Sequence, residues 1–101
     1  MELKWTSKAL SDLARLFDFL VLASKPAAAR TVQSLTQAPV ILLTHPRMGE
    51  QLFQFEPREV RRIFAGEYEI RYELNGQTIY VLRLWRAHEK TGRLCVEATL
   101  T

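Results

Sequence analysis

The chain has 101 residues and a mass of 11.7 kDa, so one domain over 1–101 is the expected organisation. Its formal net charge of +3 is too small to name a nucleic-acid binder on its own. A single cysteine, Cys95, excludes an internal disulfide and fits a reducing compartment, the longest apolar run (Ala38 to Leu43) is far short of a membrane span, and MELKWTSKAL carries no secretory signal.

Leu3 and Trp5 alternate with Glu2, Lys4 and Thr6, which predicts a short first strand. Thr6 or Ser7 is placed to cap a helix over about 8–23. Leu10, Leu13, Ala14, Phe17, Leu20 and Val21 recur at helical spacing as its apolar stripe. Lys8, Ser11, Asp12, Arg15 and Asp18 fall on the opposite face. Pro26 suits the first turn of a second helix over about 26–44, where Pro39 predicts a kink. The short connection predicts an antiparallel helix pair. His45 to Gly49 then opens a loop, and Leu52, Phe53 and Phe55 cover one end of the core. Arg58 to Phe64 reads as the next strand, turning at Ala65-Gly66.

Residues 67–86, EYEIRYELNGQTIYVLRLWR, form the organising stretch. Tyr68, Ile70, Tyr72 and Leu74 alternate with Glu67, Glu69, Arg71 and Glu73, the period of a half-buried strand. Asn75-Gly76 suits a tight hairpin turn, and Thr78 to Arg86 is a β-branched and aromatic run fitting a central strand. Two registers remain open. A two-residue loop sets Tyr72 opposite Ile79, whereas a three-residue loop with a bulge sets Glu69 opposite Arg83. Leu94, Val96, Ala98 and Leu100 alternate again, so 92–101 is an extra strand or a loose tail. The predicted class is α+β, in the order β-α-α-β-β-β: a helical hairpin on one face of an antiparallel sheet of about four strands.

Two histidines 43 positions apart and one cysteine make no metal site, no Gly-rich phosphate loop occurs, and no cofactor is expected. What stands out is basic. Residues 58–93 hold 8 Arg and Lys against 5 acids. Guanidinium groups clamp phosphate in a bidentate fashion, and a neighbouring His or Glu can transfer protons. A solvated sheet face is the plainer account, and Glu67, Glu69 and Glu73 repel phosphate beside Arg71.

The element order, HPRMG at 45–49, and RRIFAGEYEIRYELNGQTIYVLRLWRAHE at 61–89 resemble the RelE/ParE toxin superfamily of type II toxin–antitoxin modules, over about residues 2–90. The resemblance implies a small bacterial cytoplasmic toxin neutralised by a cognate antitoxin that lays an extended or helical segment over it. Trp85, Leu94 and Val96 are its candidate contacts. RelE-like relatives cleave messenger RNA on the ribosome, whereas ParE-like relatives inhibit DNA gyrase. The chain is an enzyme, an endoribonuclease, only on the first alternative. Arg62, Arg86, His88 and Glu89 would then be catalytic, with Arg58, Arg61, Arg71, Arg83 and Lys90 as phosphate- or target-binding residues. Three departures bear on the choice, and the first two favour the ParE-like alternative. Glu69 stands where RelE-like members carry arginine, no tyrosine follows Tyr80, and Trp85-Arg86-Ala87-His88 inverts the usual order of Arg and His. Homodimerisation is left open, and no membrane partner is expected.

Overall fold

The chain turns from strand into helix at Thr6, and that residue ties its beginning to its last strand. In the computed structural model, which describes residues 1–87, the elements run β1 (Glu2–Trp5), α1 (Ser7–Val21), α2 (Lys25–Gln37), a 3-10 segment (Ala38–Leu43), β2 (Glu50–Gln51), a 3-10 turn (Phe53–Phe55), β3 (Glu59–Ala65), β4 (Tyr68–Asn75) and β5 (Thr78–Arg86). The described residues build a five-stranded sheet in the order β1-β5-β4-β3-β2. The helical hairpin covers one face, as expected for α+β. The sheet is mixed rather than antiparallel, because β1 pairs parallel with β5 from Glu2↔Thr78 to Trp5↔Val81. The fifth strand is β2, which pairs with β3 through Glu50↔Arg62 and Gln51↔Arg61. Two residues are too few for alternation to reveal.

The helix starts are chemically explicit. Thr6 accepts a hydrogen bond from the Ala9 N–H at 3.2 Å, and Ser24 accepts one from Ala27 at 3.3 Å, each satisfying an otherwise unpaired donor. Pro39 ends α2 instead of kinking it. Its missing N–H removes the bond to Leu35, and the chain rewinds as the 3-10 segment with Pro39 buried.

α1 is turned from the predicted phase. Its buried residues are Ala9 and Asp12, with Leu13 and Leu16 packed against the core, while Leu10 is 52% exposed. The reason is Asp12, which the stripe assigned to solvent. Its Oδ2 accepts the Arg83 Nε–H at 2.7 Å and the Leu84 backbone N–H at 3.2 Å, and Oδ1 accepts from Arg15 at 2.7 Å. These partners offset the large cost of desolvating a buried carboxylate. Burial pushes the Asp12 carboxyl up, but the bonds from Arg83 and Leu84 outweigh it and hold it below the usual carboxylate range.

The β4–β5 register matches neither expected alternative. Asn75↔Thr78 closes the ladder, so Gly76 and Gln77 form the turn, and Gly76 adopts φ +62°. Tyr72 lies opposite Val81 and Arg71 opposite Arg83, which leaves Leu82 as an extra residue in a β-bulge. Buried positions on β5 therefore pass from Ile79 and Val81 to Leu84. The Thr6 hydroxyl pins the bulge through the Val81 and Leu82 carbonyls, at 2.9 and 3.0 Å. The core joins Ala9, Leu35, Ile70, Val81 and Leu84, extended by Leu42, Tyr72, Leu74 and Ile79.

The HPRMG loop is fastened from beneath. The Tyr72 hydroxyl donates to the Pro46 carbonyl at 2.8 Å and accepts from the Gly49 N–H at 3.1 Å. Burial raises the Tyr72 phenol pKa, so it stays a neutral donor. A Cβ on Gly49 would lie 2.6 Å from both the Arg62 carbonyl oxygen and the Tyr72 hydroxyl.

Two stability outcomes are expected, both read by urea denaturation. Gly49→Ala lowers stability by roughly 1–3 kcal/mol through overpacking. Asp12→Ala lowers it by roughly 2–4 kcal/mol, because it strands the Leu84 N–H and a guanidinium. The folded Asp12 pKa lies below that of the unfolded carboxylate, so its contribution is complete above about pH 4 and disappears as pH falls through the folded value. Asp12→Asn should accordingly flatten the loss of stability below about pH 4.

Candidate functional site

The sheet face away from the helices carries a transverse row of arginines. Arg62, Arg71 and Arg83 are cross-strand neighbours on β3, β4 and β5. Like charges directly opposite one another repel, so such a row persists only if anions are interleaved. They are. Glu69, 5% exposed, lies 3.6 Å from Arg62 and 3.4 Å from Arg71. Glu50 of β2 meets Arg62 at 2.8 Å, and Asp12 takes Arg83. Beside the row, Glu73 binds Arg58 through two bonds of 2.8 and 3.2 Å, which raises the Arg58 pKa. Across β2, β3, β4 and the residue before β3, Arg58, Arg62 and Arg71 are therefore set against Glu50, Glu69 and Glu73.

Aromatic rings complete the surface. The Arg71 guanidinium stacks over Trp85 at 4.6 Å and over Phe55 at 5.2 Å, and Arg62 lies over Phe64 at 5.5 Å. Phe64 is 55% exposed. Flat guanidinium–aromatic stacks lose little conformational freedom when a partner covers them.

The other expected site residues are dispersed. Arg61 pairs with Tyr72 across the ladder and serves the loop instead. It donates to the Gly49 carbonyl at 2.7 Å and to Glu59 at 2.9 Å, which fastens the loop. Arg86 meets Glu67 at 3.2 Å at the far end of the hairpin. His88, Glu89, Lys90, Leu94 and Val96 lie outside the described residues. Among the described residues no cluster of three or more His, Cys, Asp or Glu is arranged to hold a metal. Glu50, Phe55, Phe64 and Asp12 belong to this surface and its margin, yet the sequence pattern did not single them out. Glu50 shows itself only by its place opposite Arg62 once the register is known, and the other three only by the arginines they meet in space.

The sequence model of the ParE toxin of the type II toxin–antitoxin system, parDE, matches residues 3–91. The chain belongs to the ParE toxin family. A solved chain of the chromosomal ParDE TA system from P. aeruginosa is similar to it at 28% identity and a TM-score of 0.72, over 85% of this chain and 95% of that one. No curated protein matches it. This ParE-like toxin thus presents a charge-neutral, arginine- and aromatic-rich sheet where RNA-cleaving relatives are expected to be cationic.

The neutrality is testable by removing it. Replacing Glu50, Glu69 and Glu73 together by glutamine should create salt-sensitive binding to single-stranded RNA, with at least a tenfold gain in affinity over the wild type in low salt by fluorescence anisotropy.

Proposed function

We propose that this ParE-family toxin acts in the bacterial cytoplasm by binding DNA gyrase as a protein inhibitor, and that a cognate antitoxin holds it inactive. One observation carries the reading. Arg58, Arg62 and Arg71, the guanidinium groups on the face where a phosphodiester would have to sit, each contact a carboxylate. Cleavage of RNA needs uncommitted cations at the developing charge and a proton carrier beside them. Glu69, the carboxylate between Arg62 and Arg71, is held by both, at 3.6 and 3.4 Å. A protein target needs something else, namely rigid aromatic and arginine anchors with their charges already balanced. Phe64, Arg62, the Arg71–Trp85 stack and Phe55 supply those. Family membership supports the same choice. No helix among the described residues is long and apolar enough to cross a membrane.

The expected result of brief induction in bacteria is an early fall in thymidine incorporation while methionine incorporation continues. A fall in translation alone overturns the proposal and makes the ribosomal nuclease the working mechanism. In a purified supercoiling assay, Phe64→Ser should raise the inhibitory concentration by about tenfold or more. Phe64 is exposed, so its replacement leaves the core intact.

A further inference from the structure

The arginines of the row and its margin are not held alike. Arg58 binds Glu73 at 2.8 and 3.2 Å, Arg62 binds Glu50 at 2.8 and 3.0 Å, and Arg83 binds Asp12 at 2.7 and 3.1 Å. Among the described residues Arg71 reaches one carboxylate, Glu69, through one contact of 3.4 Å, long for a charge-assisted bond. Its Nε–H is buried and meets no acceptor among the described residues. A buried donor without an acceptor is costly, so something other than hydrogen bonding keeps the group in place. Two rings do so, Trp85 at 4.6 Å and Phe55 at 5.2 Å from the guanidinium. Stacking fixes the plane of the fork and leaves most of its five N–H donors unused. The side chain remains 25% exposed, so a partner can reach it. Charge and hydrogen bonding are thus decoupled here. Glu69 balances the charge of Arg71, as Glu50 does for Arg62, while the donors stay open. That balance selects the acceptor. A further carboxylate or phosphate would come to rest beside Glu69 and carry an uncompensated charge into a covered interface. An uncharged carbonyl brings the acceptor without the charge.

We propose that Arg71 determines what this face recognises, by donating to uncharged amide carbonyl oxygens of a protein target while Phe55 and Trp85 hold the guanidinium in place. The proposal rests on the reading that the face binds gyrase. It adds the residue that selects the contact and the chemistry of the group selected. Two properties follow. The stacked fork loses little freedom when a partner covers it, so it is an efficient anchor. A face whose charges are already paired projects little field, so its association is indifferent to salt.

The test measures binding of the full chain to purified gyrase by calorimetry, from about 50 to about 500 mM salt. The wild-type Kd should change by less than about threefold across that range. Arg71→Lys keeps the charge and loses the flat fork, and should weaken binding by about tenfold or more at every salt concentration. Phe55→Leu keeps Arg71 and an apolar cover but removes the ring, and should weaken binding by about threefold or more. Urea denaturation establishes that each variant is folded, and if Arg71→Lys does not fold, Phe55→Leu decides alone. Wild-type binding by either folded variant overturns Arg71 as the selecting donor and leaves the gyrase reading intact. A steeper loss of wild-type affinity with salt identifies a charged acceptor and overturns the carbonyl assignment. Failure of the wild-type chain to bind gyrase at any salt concentration removes the gyrase reading itself, and this proposal with it.

Discussion

A single buried carboxylate sets the geometry of the described structure. Asp12 sits on the helix face that meets the sheet, where an apolar side chain would be usual, and takes the Leu84 N–H at the sheet margin together with Arg83 and Arg15. β1 stops at Trp5, opposite Val81, so among the described residues the second half of β5 has no strand on that side. α1 covers that margin, and the carboxylate satisfies a backbone donor that a strand would otherwise have bonded. With the Thr6 hydroxyl on the two carbonyls before it, Asp12 holds the bulge at Leu82. The bulge decides which residues of β5 face the core and which face the arginine-lined surface.

The arginine-lined surface follows from that choice. Past the bulge, Trp85 lies opposite Glu69 and Arg83 opposite Arg71. Only this offset brings the indole beneath the Arg71 guanidinium and aligns three arginines across the sheet. A slip by one residue would place Trp85 among the helices and scatter the row. The balance of charge on the sheet is thus a product of register, and register is a product of two side chains near the start of the chain.

The same dependence explains what could be read from the residues alone. The strands of the central hairpin, the two helices and the family were legible, because alternation, helical spacing and the residues 61–89 are local patterns. The bulge was not, since its causes, Thr6 and Asp12, lie 75 and 72 residues away from the groups they bind. Asn75-Gly76 suggested a turn one position early. The real turn needs only Gly76 at positive φ. Asp12 looked solvent-facing because its partner was invisible, and that also misplaced the buried face of α1. Of the candidate site, the arginines were visible and their neutralisation was not. Glu69 and Glu73 had been noticed, but which guanidinium each one holds depends on pairing across strands. Arg61 was a fair candidate by composition and proves to be bound to the loop beneath it.

The parallel pairing of the first strand with the last has a consequence for the order in which a growing chain can organise. β1, α1 and α2 are made first, but their buried faces rest on β4 and β5. Until β5 is synthesised the helical hairpin has nothing to pack against, β1 has no neighbour, and the loop entropy of joining the two ends has yet to be overcome. Such long-range closure makes folding slow and late rather than stepwise. No shorter nascent fragment possesses the arginine-lined surface, because Trp85 lies next to the last residue of β5 and Arg71 acquires its stack only when that strand docks. The arginine–aromatic face therefore forms in one event near the end of folding.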